Sequence, residues 1–355
     1  MLEKARTLLA KENLDLLIVD NPIDLYYLTG HHFSLGRLAI GQNATLFVDG
    51  RYLEAAQKIP SVSTILTKGY GKGSPFAESF ASLPKRVGFD ASTTTFSAYQ
   101  ELEALFGRES LVPLSAPIQR LRMVKEPIEI EYLAAAAHLA ILGLDFVRSF
   151  LKEGMIEEEI ALELELFWRR KGGQKLAFDT IIASGPNASQ PHYRAGKRKI
   201  TRHEPILVDM GVVLHNYHSD LTRVFFLGEP IPKMREIYSV VEEACKAALQ
   251  ICRPGTLVRE LDSVARSVIE KAGYGEYFTH SLGHGVGLEI HELPLLRSTP
   301  PFGELPLSEG MVITIEPGIY LPGLGGVRLE DTIAITKEGY RILTNRPLSL
   351  EMAIL

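Results

Sequence analysis

The chain has 355 residues, of which 46% are hydrophobic and 23% are charged, and its formal net charge is −5. This length predicts two domains, or one domain with a sizeable second lobe, and the composition is that of a folded soluble protein, which excludes a disordered chain and a coiled coil. The 38 basic and 43 acidic residues are interspersed without blocks, so no nucleic acid is expected as a partner.

Residues 1–120 alternate helical and strand patterns. Apolar spacing predicts helices at residues 2–11, 52–58 and 99–106, and strands at 14–19, 44–48, 62–67 and 86–89. This order predicts a smaller α/β domain with a mostly parallel or mixed sheet. Pro113 and Pro117 then predict a linker, because proline fixes φ and biases the preceding residue away from helix. We expect a second domain over residues 121–355.

That second region begins with two long helices, at residues 127–152 and 156–171, and continues with strand patterns at 178–184, 206–213 and 217–227. A turn is expected at residues 214–216. Two further helices, at 233–251 and 258–271, precede strands at 311–318 and 326–336. The repeated order of helix pair and strands predicts an α+β domain with an internal structural duplication.

Cys245 and Cys252 lie seven positions apart in one of these helices. Two helical turns separate them by about 10 Å, too far for a disulfide, so we expect both to be reduced and partly buried. Residues 1–13 lack the apolar core of a signal peptide, and the longest apolar run, residues 133–144, is too short to span a bilayer. We therefore expect a cytoplasmic protein with no membrane partner.

Asp209 and Asp220 lie in adjacent strand patterns, and a hairpin between them would bring both carboxylates to one side of a sheet. Carboxylates at that distance repel each other, and a cation would relieve the repulsion. For this pair alone, solvated residues at strand ends are the alternative interpretation.

Three histidines, His280, His284 and His291, follow at spacings of four and seven in a glycine-rich segment that is typical of a binding loop. Glu316 and Glu330 each follow an apolar strand pattern, where an unpaired buried carboxylate would cost several kcal/mol. For either glutamate alone, a salt bridge is the alternative. Two aspartates, one histidine and two glutamates together suit two divalent ions of the manganese or cobalt type better than a tetrahedral structural zinc.

Around these residues the sequence resembles the pita-bread metallopeptidases, the family of methionine aminopeptidase, aminopeptidase P and prolidase. The matching segments are 208–211, 217–223, 280–292, 316–320 and 326–331. The resemblance implies a pita-bread catalytic domain that follows a smaller α/β domain of the creatinase/prolidase N-terminal type. It also implies five ligands for two divalent ions, which are Asp209, Asp220, His284, Glu316 and Glu330. Manganese is expected, with cobalt or zinc as alternatives, in a homodimer.

The resemblance extends upstream to residues 178–187 and 191–193, where His192 matches a histidine that contacts substrate. Residues 121–130 resemble the join between the domains of the proline-specific members, and residues 21–30 resemble the start of their N-terminal domain. The implied function is hydrolysis of the bond between an N-terminal residue and a following proline. The enzyme would be an Xaa-Pro aminopeptidase or an Xaa-Pro dipeptidase, which the sequence does not distinguish, and its partners would be proline-containing peptides or dipeptides.

The implied mechanism is attack by a hydroxide that bridges two metal ions. Glu316 would carry the proton to the leaving nitrogen, and His291 and His192 would donate hydrogen bonds to the substrate carbonyl. His280 and Arg328 would bind substrate, although Arg328 could instead hold a carboxylate ligand. Tyr320 is expected only to pack.

Two other functions fit the same fold. A pita-bread domain that has lost its metals could serve as a non-catalytic peptide-binding module, and a creatinase-like hydrolase would work without metal. Both alternatives are disfavoured by the complete set of ligand residues.

Overall fold

The structure, a computed structural model, describes residues 1–80 and 82–355. Within these residues the chain divides into two compact units, Met1–Arg122 and Met123–Leu355. The elements of the first unit are α1 (Leu2–Lys11), β1 (Leu16–Val19), α2 (Pro22–Thr29), β2 (Arg37–Ile40), β3 (Ala44–Val48), α3 (Leu53–Ala56), β4 (Ser63–Leu66), α4 (Pro75–Glu78), β5 (Val87–Asp90), α5 (Phe96–Phe106), β6 (Leu111–Leu114) and α6 (Pro117–Arg122).

The first unit is built on a mixed six-stranded sheet with the order β4-β3-β2-β1-β5-β6. Strand β2 is antiparallel to both β1 and β3, whereas β3 pairs with β4, and β5 with β6, in parallel. Phe47, Phe76 and Phe106 are buried in a core that contacts one face of this sheet. The predicted α/β character of the first region is therefore confirmed.

The predicted linker at Pro113 and Pro117 is wrong. Residues Leu111–Leu114 form strand β6, which pairs in parallel with β5 and places Pro113 opposite Phe89. Because β6 is an edge strand, the missing N–H of Pro113 is tolerated there. Pro117 is the first residue of α6, a position at which the N–H has no helical partner in any case.

The second unit contains the remaining elements. They are α7 (Pro127–Phe150), α8 (Glu157–Arg170), β7 (Lys175–Leu176), β8 (Ile181–Ser184), β9 (Ile206–Met210), β10 (Val212–Leu214), β11 (Tyr217–His218), β12 (Leu221–Phe225), α9 (Pro232–Gln250), α10 (Val258–Lys271), β13 (Gly283–Gly285), β14 (Glu292–Leu296), β15 (Val312–Ile315), β16 (Gly318–Leu321), β17 (Gly325–Arg328), β18 (Asp331–Ile335), β19 (Tyr340–Ile342) and α11 (Leu350–Ala353).

This unit has two halves of similar construction. Helices α7 and α8 share a core with the antiparallel sheet β12-β9-β8, and Trp168 lies at its centre. Helices α9 and α10 share the other core with the sheet β14-β13-β15-β18-β19. Gly143 of α7 allows a close approach, since a Cβ there would lie 2.4 Å from Trp168 Nε1. The predicted order of helix pairs and strands is confirmed.

Helix α7 is long and apolar enough to cross a bilayer by length and composition alone, but half of its most apolar window is buried inside the protein. The core helix of a soluble protein can have the same length and apolar composition, so these two properties are weak evidence that α7 crosses a membrane. Cys245 and Cys252 are both unbridged and buried. The prediction that they form no disulfide is confirmed, and their burial is more complete than expected.

Candidate metal centre

Asp209 and Asp220 lie on neighbouring antiparallel strands. Asp209 is the fourth residue of β9, where it is opposite Thr222 of β12, and Asp220 directly precedes β12. The intervening turn has positive φ at His215 (52°) and Asn216 (67°), the conformation that closes a two-residue hairpin. The predicted turn is confirmed. Both carboxylates are buried and line one cavity.

The other three candidate ligands come from the central strands of the five-stranded sheet. His284 is the middle residue of β13, Glu316 follows β15, and Glu330 precedes β18. His284 Nε2 lies 3.3 Å from Glu316 Oε1 and 3.5 Å from Asp220 Oδ2. Ligand atoms of Asp220, His284 and Glu330 all lie within 4.8 Å of one another. Two sheets thus contribute side chains to one cluster.

The buried charges of this cluster fit a divalent cation. Asp209 Oδ1 and Glu330 Oε1 are buried and have no hydrogen-bond partner among the described residues. Burial, together with repulsion from Glu330 and Asp209, raises the pKa of Asp220 well above its usual range. A buried carboxylate with no compensating charge is costly, and a cation would stabilise the ionised forms. Four carboxylates and one imidazole are donors that suit manganese, cobalt or zinc.

Asp209 and Glu330 are oriented by neighbouring side chains. Arg328 Nη2 donates to Asp209 Oδ2 at 2.5 Å, and Thr222 Oγ1 donates to Glu330 Oε2 at 2.6 Å. The other oxygen of each carboxylate, Asp209 Oδ1 or Glu330 Oε1, has no hydrogen-bond partner among the described residues. The second oxygen therefore remains available for a metal ion. The sequence analysis did not identify Thr222 as a site residue. The available signal was its position two residues after Asp220, because side chains two residues apart in a strand lie on the same face.

His284 and Glu316 form the other oriented pair. His284 Nδ1 lies 3.0 Å from the carbonyl oxygen of Gly285, an arrangement in which Nδ1–H donates and Nε2 faces Glu316. Burial alone would raise the pKa of Glu316, but the neighbouring His284 imidazole lowers that pKa to about 2. Glu316 also accepts from Thr314 Oγ1 at 3.2 Å. These contacts hold Glu316 as a carboxylate beside the imidazole.

Tyr320 links two other predicted site residues. Arg328 Nη1 donates to the Tyr320 hydroxyl at 2.8 Å, and that hydroxyl lies 2.8 Å from His280 Nε2. Burial lowers the pKa of His280 and raises the pKa of Tyr320 to about 12, so the phenol donates to a neutral imidazole. The expectation that Tyr320 only packs is wrong, because a hydroxyl group rather than a ring contact joins Arg328 to His280.

The cluster lies in a cavity of about 520 Å³. The cavity brings together every site residue that was predicted from the sequence, namely Asp209, Asp220, His284, Glu316, Glu330, His192, His280, His291 and Arg328. The His291 ring contacts the His284 ring edge-on, with centroids 4.3 Å apart. His192 and His291 are exposed, and both can therefore reach a bound molecule.

A buried ion pair supports the segment that carries His291. Lys125 Nζ lies 2.7 Å from Glu292 Oε1, and both side chains are almost fully buried. Glu292 begins β14 directly after His291. No sequence pattern predicted this pair, because its members are 167 residues apart.

Two family models match the chain. Residues 131–337 match metallopeptidase family M24, and residues 1–124 match the creatinase/prolidase N-terminal domain. The first match alone covers more than half of the chain and contains every candidate metal ligand.

Curated and structurally solved relatives cover almost the full length. An Xaa-Pro dipeptidase of Pyrococcus furiosus is 37% identical over 345 residues, which is 97% of each chain. The structure of an Xaa-Pro dipeptidase from Bacillus anthracis superposes with a TM-score of 0.91 at 34% identity and covers 100% of this chain and 99% of that one. An X-Pro aminopeptidase from Thermotoga maritima superposes with a TM-score of 0.85 at 32% identity and covers 98% of each chain.

Proposed function

Because this chain belongs to metallopeptidase family M24, we propose that it is a metal-dependent exopeptidase that hydrolyses the bond between an N-terminal residue and a following proline. The observation that carries this conclusion is the convergence of Asp220, His284 and Glu330 in one buried cluster. The near full-length similarity to Xaa-Pro dipeptidases supports the preference for proline.

We assign two divalent ions to Asp209, Asp220, His284, Glu316 and Glu330, with manganese expected and cobalt or zinc as alternatives. Ions held by these residues would lower the pKa of a bound water molecule and so supply the hydrolytic nucleophile at neutral pH. The orphaned oxygens of Asp209 and Glu330 support this assignment.

The side chains of the cavity perform the remaining steps. The Glu316 carboxylate takes the proton of the attacking water and passes it to the proline nitrogen as the peptide bond breaks. His291 and His192 donate hydrogen bonds to the scissile carbonyl oxygen, where negative charge develops. His280 helps to shape the substrate site, and Arg328 holds Asp209 through the 2.5 Å ion pair.

The apolar part of the cavity fits a proline ring. Phe178, Ile181, Ile290 and Leu295 line it together with the candidate ligands. Proline contributes no N–H after the scissile bond, and a small apolar wall can receive its ring without an unsatisfied donor. This composition supports proline at the second position of the substrate.

We further propose a homodimer located in the cytoplasm. The dimer is proposed from the family resemblance, and the reduced, buried state of Cys245 and Cys252 supports a reducing compartment. Light scattering coupled to size-exclusion chromatography tests the dimer, because a single 39.3 kDa species would contradict it.

The decisive experiment replaces a ligand and measures both bound metal and turnover. In Asp220→Ala or Glu330→Ala we expect metal content to fall and cleavage of Leu-Pro substrates to decrease at least about 100-fold, since loss of a group that merely supports a ligand already costs 10–100-fold. The exposed Glu338 provides the matched control Glu338→Ala, which should retain both properties.

A chelator separates this function from its alternatives. The peptidase should lose activity in chelator and regain it with added Mn²⁺. A creatinase-like hydrolase would keep its activity in chelator, whereas a peptide-binding module would show no turnover in either condition. Either of these results would refute the proposed function.

A further inference from the structure

The segment that carries His280 is irregular and lacks the hydrogen bonds of a strand. Residues 279–281 lie between the 3₁₀ helix Gly275–Tyr277 and β13, and within the described chain none of their amide or carbonyl groups takes part in a backbone–backbone hydrogen bond. His280 nevertheless lines the cavity, and its Nε2 accepts from the Tyr320 hydroxyl at 2.8 Å. The hydrogen bonds of the sheet therefore do not hold this backbone in place.

Arg266 of α10 binds two carbonyl groups of this region. Its Nη1 donates to the Phe278 carbonyl oxygen and its Nη2 donates to the His280 carbonyl oxygen, each at 3.0 Å. The guanidinium also lies over the Phe278 ring, with Cζ 4.3 Å from the ring centroid, which is a cation–π contact. The Phe278 ring in turn contacts the His280 ring edge-on, with centroids 5.1 Å apart. Arg266 thus holds the backbone on both sides of Thr279.

The Arg266 guanidinium is itself oriented by Asp262, one helical turn earlier. Asp262 is 1% exposed and accepts from Arg266 Nε at 3.2 Å and from Arg266 Nη2 at 3.0 Å. Because a guanidinium presents its donors in a rigid planar fork, an ion pair on one edge fixes the direction of the remaining donors. A lysine ammonium has no such fork and could not hold the carboxylate and both carbonyl groups in the same geometry.

We propose that Arg266 is a positioning residue that fixes the His280 ring in the cavity, although Arg266 does not line the cavity itself. This inference rests on the proposed function. Without the two donated hydrogen bonds, the segment that carries His280 loses its attachment to α10, and the imidazole no longer keeps one position against Tyr320. Because His280 helps to shape the substrate site, its displacement should appear in KM more than in kcat.

The test combines substitutions at Arg266 and His280 in the full-length protein with Mn²⁺ and Leu-Pro as substrate. Arg266→Met keeps the length of the side chain but removes its donors, and it should raise KM about tenfold or more, since a misplacement of about 1 Å can cost about 10²-fold. Arg266→Lys should restore part of this loss. In the His280→Ala background, Arg266→Met should change KM by less than about twofold, because a residue that acts through His280 then has nothing to position.

A readout without turnover uses ¹³C-labelled histidine in the full-length protein with Zn²⁺. The ring resonance of His280, identified by its loss in His280→Ala, should shift or broaden in Arg266→Met. Asp262→Asn leaves the guanidinium in place but weakens its orientation, and it should move the same resonance by a smaller amount. If Arg266→Met does not fold, Arg266→Lys replaces it in both experiments, with smaller effects in the same direction.

Arg259 provides the matched control, because it lies on the same helix and its side chain, which pairs with Glu304, is 43% exposed. Arg259→Met should keep the wild-type KM and the wild-type His280 resonance. Additive effects of Arg266→Met and His280→Ala on KM, or an unmoved His280 resonance in Arg266→Met, would overturn the positioning role. Absence of Leu-Pro cleavage by the wild-type protein would instead refute the proposed function, whereas the resonance would still report the position of His280.

Discussion

At the scale of single residues, the Tyr320 hydroxyl is the middle member of a buried chain of hydrogen bonds. It accepts from Arg328 and donates to His280, each at 2.8 Å, and Arg328 in turn pairs with Asp209. Groups that orient a metal ligand from outside the metal shell affect affinity strongly, even though they never touch the metal. The orientation of Asp209 should therefore depend on Tyr320.

Tyr320→Phe removes this hydroxyl and leaves the ring in place. We expect the free energy of unfolding to fall by about 1 kcal/mol and metal affinity to fall about tenfold or more. Chemical denaturation and metal titration measure the two effects. The control Tyr340→Phe alters a half-buried tyrosine of β19 that does not line the cavity and should leave metal affinity unchanged. Equal metal affinity in Tyr320→Phe and the wild-type protein would contradict this role.

At the scale of elements, Glu157 connects the N-terminus of α8 with the segment that follows β8. Its two oxygens accept from Ser184, Asn187, Tyr193 and Gly196. Burial, and then the hydrogen bond to Glu157, raises the pKa of Tyr193 to about 12, so this phenol remains a donor over the whole physiological range. The position of His192, which is adjacent to Tyr193, depends on these contacts.

Glu157→Gln retains the size of the side chain but replaces one acceptor oxygen with a donor amide. The groups that donate to Glu157, such as the Tyr193 hydroxyl and the Gly196 amide, would then face the N–H group of the new amide. We expect a loss of about 1–3 kcal/mol in unfolding free energy together with a higher KM. Steady-state kinetics and denaturant unfolding test this prediction. Glu158 is exposed in the same helical turn, and Glu158→Gln should behave like the wild-type protein. An unchanged KM in Glu157→Gln would show that the carboxylate is purely structural.

The sequence predicted regular elements better than short or irregular ones. Helix α10 and helix α1 have the predicted bounds, because apolar residues at helical spacing are a local signal. Strand β13 was not predicted, since its Gly283-His284-Gly285 pattern is uncommon in strands. A Cβ on Gly283 would lie 2.2 Å from the Thr314 carbonyl oxygen. The close approach of β15, which requires glycine there, is visible only in three dimensions.

At the scale of the whole molecule, the candidate ligands all belong to the second unit, residues 123–355. They come from two of its sheets, β12-β9-β8 and β14-β13-β15-β18-β19, and the Asp209 and Glu330 side chains are nearly enclosed. Metal binding should therefore stabilise this unit as a whole, because the complete site exists only when both halves are folded.

Calorimetry of the full chain tests this coupling. At a free Mn²⁺ concentration of about 100 times the dissociation constant, bound metal should add about 2.7 kcal/mol of stability, and the unfolding transition should rise by roughly 5–10 °C relative to protein in chelator. Asp220→Ala should remove the shift. An identical melting temperature with metal and with chelator in the wild-type protein would contradict a structural contribution of the ions.

The sequence by itself determined the chemistry available to this protein. The ligand residue types, the glycine-rich histidine segment and the helical and strand periods are local properties, and they predicted the order of helices and strands and a site for divalent ions. The resemblance to the pita-bread metallopeptidases implied the peptidase activity and the residues that the cavity brings together. Tertiary structure decided which distant groups pair. Thr222 meets Glu330 across 108 residues, and Lys125 meets Glu292 across 167. Such pairs leave no periodic signal, because they depend on how the sheets are brought together in the folded chain rather than on sequence spacing. The same reason explains why Arg328 is engaged by Asp209.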